Sequence, residues 1–307
     1  MTTRAVSPGS GWRWFRQAIN LGRNNPKAVF GAVALLAVIA LIPSVIQMAL
    51  QYGLGLSPQS VMVVIGLTTM VSLVIYPLLI GGLLRVIHAA ENGRPTRATA
   101  IFDTFQASGD RVPLILFGLL MTAIYLAVFL AVISLFGKDF MGWYWALITA
   151  TQAQQAGGAA VPPEAMALPE GFGRVMGIGS LFALFMGGVY AIGFGQVALG
   201  GRRVGAAFAD GLAGTLKNVL PIVVLAVLAV VAMFGLVLVV GIIAAILMLV
   251  GGLIHKALGV LLLAPIYIGM LLVIYVVMFG VMYFMWRDIC GDNAPVADAP
   301  RDDAIEV

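Results

Sequence analysis

Uncharged apolar runs alternate along the chain with short segments that hold nearly all of the charge. The runs cover about 28–50, 60–84, 113–136, 175–199, 219–250 and 258–286. Each is long enough for a helix to cross a hydrocarbon core about 30 Å thick, which takes roughly 20 residues. Helix is required there, because an unpaired backbone group in hydrocarbon costs several kcal/mol. The pattern predicts an all-α fold, a polytopic bundle of six transmembrane helices forming a single integral membrane domain over 1–290. The fifth run, 219–250, is 32 residues long. It must tilt steeply or bend near Gly235 and Gly241, with His255 and Lys256 marking the turn. Reading 219–286 as three spans would put Arg287 on the wrong side.

Lys and Arg between the runs set the direction. One side holds Arg4, Arg13, Arg16, Arg23, Lys27, Arg85, Arg94, Arg97, Arg111, Arg202, Arg203, Lys217, Arg287 and Arg301. The other holds Lys138, Arg174 and Lys256, beside Asp139, Glu164 and Glu170. The first side is expected to be cytoplasmic and to carry both termini. Composition agrees with a lipid-facing exterior. Hydrophobic residues make up 62% and charged residues 10%, where a soluble domain needs roughly 25% charged residues to hydrate its surface.

Before the first span, 12–23 projects as a basic amphipathic helix. Trp12, Trp14, Phe15, Ala18, Ile19 and Leu21 form one half, and Arg13, Arg16, Asn20 and Arg23 the other, with Gln17 at the edge. Such a helix lies well in an anionic inner leaflet, or else packs on the floor of the bundle. The pattern recurs twice. Ala98, Ile101, Phe102 and Phe105 precede the third span, and Val204, Phe208, Leu212 and Leu216 precede the fifth. A proline opens each outward span, at Pro26, Pro113 and Pro221, where the missing N–H costs nothing. The expected plan is three hairpins, each preceded by a cytoplasmic interfacial helix.

The fourth span carries Gly179, Ala183, Gly187, Ala191 and Gly195 at four-residue spacing. Small residues on one stripe let helix backbones approach closely. This predicts a helix at the bundle centre, although a homo-oligomer interface would use the same stripe. Trp143, Tyr144 and Trp145 are expected at the outer interface and Trp286 at the inner one. Residues 151–171 read as a flexible outer loop, and 291–307 as a disordered acidic tail.

Candidate chemistry is sparse. Ion-driven transporters usually bury charged residues within their spans, whereas these runs hold only mild polar groups such as Gln47, Thr68, Ser72, Gln196 and Tyr125. Interhelical hydrogen bonding accounts for those. No catalytic, metal or cofactor constellation is read from the chain, and no nucleic-acid module. Gly171–Gly177 has the wrong spacing for a dinucleotide loop and no preceding strand. Arg202 and Arg203, after Gly200 and Gly201, are expected to anchor lipid headgroups. His88 near Glu91 lacks a third ligand, and Asp103, Asp110 and Asp210 read as solvated or paired with Arg97, Arg111 or Lys217. The single cysteine, Cys290, forbids an intramolecular disulfide and offers a thiol for topology labelling.

The opening Gly11-Trp12-Arg13-Trp14-Phe15 with Asn25-Pro26, and the closing Tyr283-Phe284-Met285-Trp286-Arg287-Asp288-Ile289-Cys290-Gly291, resemble an uncharacterised proteobacterial family of six-span inner-membrane proteins. A more distant likeness in layout is to the membrane domains that accompany bacterial glycerophosphodiesterases, without their catalytic domain. The resemblance implies a bacterial inner-membrane location and carries no activity. The reading that follows is a non-enzymatic envelope or lipid-associated scaffold whose partners are anionic inner-leaflet lipids and a membrane protein or second copy. The alternative is a carrier, channel or scramblase for a neutral or lipidic substrate, with the fourth and fifth helices as moving parts.

Overall fold

The computed structural model describes residues 3–53, 58–106, 111–155, 160–254 and 256–291, and among them regular secondary structure is helix alone. The α-helices are α1 (Ser10–Ile19), α2 (Pro26–Met48), α3 (Pro58–Glu91), α4 (Arg111–Phe136), α5 (Phe140–Gln155), α6 (Pro163–Met166), α7 (Phe172–Ala198), α8 (Val204–Lys217), α9 (Val219–Ile254) and α10 (Lys256–Cys290). A π-helical turn, Ala49–Gly53, continues α2, and a 3-10 segment, Ala98–Phe105, precedes α4.

Six of these helices, α2, α3, α4, α7, α9 and α10, are long and apolar enough to cross a bilayer. Their outer faces carry large bare hydrophobic side chains, such as Phe234 and Leu249 on α9 at 72% and 70% exposure. Apolar side chains so uncovered along several helices suit lipid as solvent. The chain is an all-α, multi-pass integral membrane protein.

Of tilt and bend, the two ways open to the fifth span, the structure shows no helix break at Gly235 or Gly241. The helix α9 runs unbroken for 36 residues through Gly235 and Gly241, which is about 54 Å at 1.5 Å per residue. A Cβ at either glycine would meet nothing within 4 Å, so no close approach exploits them. Such a helix must tilt or project beyond the hydrocarbon. His255, expected at the following turn, lies outside the described residues, as do Asp110 and the acidic tail from Asp292.

The segment after the third span also differs from expectation. Trp143, Tyr144 and Trp145 belong to α5, which continues to Gln155 and so enters the segment read as a loop; α6 forms a second short helix there. At 16 residues, α5 is shorter than a span needs.

The chain divides into two compact units, one of Met1–Gly118 with Gly188–Val307 and one of Leu119–Gly187. In the first, Asn25 caps α2 by accepting from the Ala28 N–H at 3.1 Å, and Pro26 takes the first helical position. Its side-chain amide donates to the Thr96 carbonyl at 3.2 Å. The chain turns from α1 to α2 through Gly22, whose φ of +84° suits glycine. In the second unit, Val132, Ile133 and Val175 form a small apolar cluster flanked by Val128 and Phe140. Phe172 stacks on Phe140 at 6.1 Å and meets Trp143 edge-on at 5.7 Å.

Candidate lipid-facing helices and a basic pocket

The sequence assigns one apolar half to α1, and the structure splits that half in two. Gly11, Trp14 and Ala18 are buried against the bundle, with Leu21 just beyond the helix. Trp12 and Ile19 stand outward at 52% and 57% exposure, with Phe15 between. Arg13, Arg16 and Asn20 fill the third face, and Arg23 follows it. The helix therefore has a bundle face, a bare apolar face and a basic face. Trp14 is an interior anchor rather than a surface residue; its indole N–H donates to Asp288 Oδ2 at 2.9 Å. Gly280 of α10 receives this face closely, since a Cβ there would stand 3.0 Å from Ala18.

A related division appears in α8. Its buried side consists of small residues, Ala207, Gly211, Gly214 and Thr215. A Cβ at Gly211 would stand 2.6 Å from the Val189 carbonyl oxygen, so α8 and α7 touch backbone to backbone. The larger Val204, Phe208, Leu212 and Leu216 stay partly or fully uncovered, Leu216 at 63%. The third segment departs from expectation. Ala98–Phe105 is 3-10 helix, so residues three apart align. Of the expected apolar set only Ile101 is fully buried, together with Thr104, while Ala98, Phe102 and Phe105 are partly covered. The Thr104 hydroxyl donates to the Leu78 carbonyl at 2.9 Å.

The small-residue stripe of α7 packs only at its C-terminal end. Ala191 and Gly195 are buried, and the Trp286 ring lies where a Gly195 side chain would be. Ala183 and Gly187 are exposed, and a Cβ at Gly179 or Gly187 would meet nothing within 4 Å. Further close approaches fall off the stripe, at Gly188 and Gly193, the latter with Phe117 and the Ala207 carbonyl oxygen, 3.0 Å from a Cβ. Four-residue spacing identifies a stripe but not its partner.

Polar bonds tie together the end of the first unit where α1, α8 and α10 meet. Trp286, expected at the membrane surface, is buried and donates to Gln196 Oε1 at 3.2 Å. Gln196 donates to Asp210 Oδ2 at 2.8 Å, which also receives Arg202 Nε at 3.0 Å. Arg202 is thus engaged by Asp210, whereas Arg203 is exposed at the start of α8. Lys217, expected to pair with Asp210, donates to the Thr3 carbonyl at 2.8 Å. Arg13 pairs with Asp288 at 2.8 Å. The buried Asn218 side chain accepts from Val6 N at 2.7 Å and donates to the Arg4 and Gly214 carbonyls at 3.0 and 2.8 Å. Cys290 is 4% exposed, so its thiol is shielded by packing and reports poorly on which side of a membrane it lies.

Beside this network is an open polar pocket of about 280 Å³. Arg16, Gln17, Asn20, Arg23 and Asn24 line one wall, and Glu91, Phe284 and Arg287 the other. Arg287 is held in place by a cation–π contact 4.6 Å from the Phe284 centroid and by donation to Gln17 Oε1 at 3.4 Å. Sequence reasoning noted Arg16 and Arg23 as surface residues and counted Arg287 only for orientation. The signal for the pocket is the polar face of α1; its opposite wall comes from helices far along the chain. His88, one turn from Glu91, contacts the Tyr283 hydroxyl at 3.3 Å and Asn92. Among the described residues, no group of three or more His, Cys, Asp or Glu side chains is placed to hold a metal.

These features define a class, a multi-pass membrane protein whose basic end combines partly bare apolar helices with an arginine-rich pocket. Comparison with family models, curated proteins and solved structures yields no match.

Proposed function

We propose that the chain is a non-enzymatic, lipid-associated scaffold of a bacterial inner membrane, with its basic end and both termini on the cytoplasmic side. The observation that carries this reading is the division of faces on α1 and α8. Each helix gives its small residues, or Trp14, to the bundle and leaves larger apolar side chains uncovered. On α1, arginines adjoin the bare apolar face, the arrangement that suits a headgroup region with anionic lipids. The proteobacterial six-span likeness supports the same location.

A carrier reading has less support. Discontinuous helices are the usual pointer to a midplane site, and α9 is continuous through both glycines that suggested a break.

Purification from mild detergent should recover anionic phospholipid or a partner protein at stoichiometric level; recovery of neither overturns the scaffold reading. Orientation needs a thiol other than Cys290. In a Cys290→Ser background, Arg94→Cys should react with an impermeant maleimide only after permeabilisation, and Asp139→Cys in intact spheroplasts. Both positions are exposed. The reverse pattern would invert the orientation.

A further inference from the structure

We propose that the pocket between α1 and the ends of α3 and α10 is a binding site for the phosphate of one anionic phospholipid, held chiefly by Arg16, Arg23 and Arg287. The proposal deepens the scaffold reading and rests on it.

The lining carries three guanidinium groups and one carboxylate, Glu91, so the pocket has more positive charge than its own residues balance. Arg287 Nε is buried without a hydrogen-bond partner, since Asp288 Oδ1 is 3.7 Å away and too far for one. Among the described residues, the side chains of Arg16 and Arg23 have no ion-pair partner. Phe284 and Gln17 fix the guanidinium of Arg287 before any ligand arrives. Planar N–H forks match the oxygens of a phosphate in pairs. Asn20 and Asn24 add amide donors on the same wall, suited to hydroxyls of a glycerol-type headgroup.

The surroundings favour a lipid as the source of that phosphate. The pocket wall formed by α1 adjoins the bare face of Trp12 and Ile19, and a headgroup seated among the arginines would leave its acyl chains beside apolar side chains. The volume of about 280 Å³ suits a headgroup rather than a large soluble ligand, which usually fills a larger cleft.

The test uses the full chain in nanodiscs of mixed phosphatidylglycerol and phosphatidylcholine, with retained lipid counted by native mass spectrometry. The wild type should retain one phosphatidylglycerol. Arg16→Gln/Arg23→Gln should lower that retention by at least about tenfold, since charge-assisted hydrogen bonds are lost. Both side chains are exposed, so the fold should survive, and unchanged thermal unfolding checks this. Arg111→Gln, exposed at the start of α4 and outside the pocket, should retain lipid as the wild type does. Equal retention by wild type and double variant overturns the pocket while leaving the scaffold reading intact. Absence of any preference for phosphatidylglycerol in the wild type overturns the pocket as well, and leaves the scaffold reading to rest on a partner protein alone. In lipid-free micelles, short-chain phosphatidylglycerol should raise the unfolding temperature at concentrations where inorganic phosphate does not. Equal stabilisation by inorganic phosphate would identify a soluble anion and overturn the lipid assignment.

Discussion

The two units differ in what joins their elements. In the first, Asn218, Gln196 and Asp288 bond to partners from distant parts of the chain, including Arg4, Val6, Trp286 and Arg13. In the second, the hydroxyls of Ser134, Thr149 and Thr151 donate to carbonyls three or four residues back in their own helices. Cohesion there comes from the Val132, Ile133 and Val175 cluster and from rings, with Tyr125 meeting Phe182 edge-on at 5.8 Å and Phe172 lying between Phe140 and Trp143. A buried polar bond fixes which partner is correct, because the wrong one leaves a group unsatisfied. Apolar contacts are less exclusive and tolerate repacking. The first unit is therefore the better specified of the two.

Substitutions should expose this contrast. The largest effect is expected from Asn218→Ala, which takes a buried amide from two carbonyls and one N–H, with the Gly214 bond fully buried and the other two partly so. About 3 kcal/mol should be lost, read as a lower unfolding midpoint in detergent. A midpoint unchanged from wild type would show that water replaces the amide. Next comes Gly195→Val, where the added side chain collides with Trp286; overpacking of this kind costs about 2 kcal/mol. On the same stripe, Gly179→Val meets open space and should shift stability by no more than about 0.5 kcal/mol. Equal effects at the two glycines would mean that the outer half of the stripe is covered in the membrane, by a second copy for example. Phe172→Ala should cost about 1 kcal/mol through its two ring contacts. It should speed amide exchange in α5 while leaving that of α1 unchanged, so protection lost in both would contradict the separation of forces.

Much of the architecture was legible because a bilayer imposes a simple rule of length and charge. All six spans lie where the uncharged runs lie, with most helical ends extending past them. The α5 helix was not legible, because Phe140–Gln155 is too short to span and mixes glycine, aromatics and glutamines without a helical period. The 3-10 form of Ala98–Phe105 was hidden for a related reason. Eight residues fit either helical period, and only packing on α3, where Gly82 admits the Ile101 backbone, decides between them. At the candidate site, the arginines of α1 were legible from the helical wheel. Their meeting with Glu91, Phe284 and Arg287 was not, since that depends on tertiary closure across nearly the whole chain. Trp14 shows the limit most directly. An apolar half-wheel is the same in sequence whether it faces lipid or protein, and only Asp288 and Gly280 on the far helix distinguish the two.

Those links between Arg4, Arg13 and Trp14 at one end and Asp288 to Gly291 at the other have a consequence for biogenesis. Arg4, Arg13 and Trp14 meet these partners only when the last of the six spans has been made. At about 5–20 residues per second, the amino-terminal helix waits roughly 15–60 s with its indole unpaired. The seam closes only once Asp288 to Gly291 have been made, so a nascent chain truncated before Asp288 should expose Trp14 to protease or quencher, and one extended past Gly291 should not.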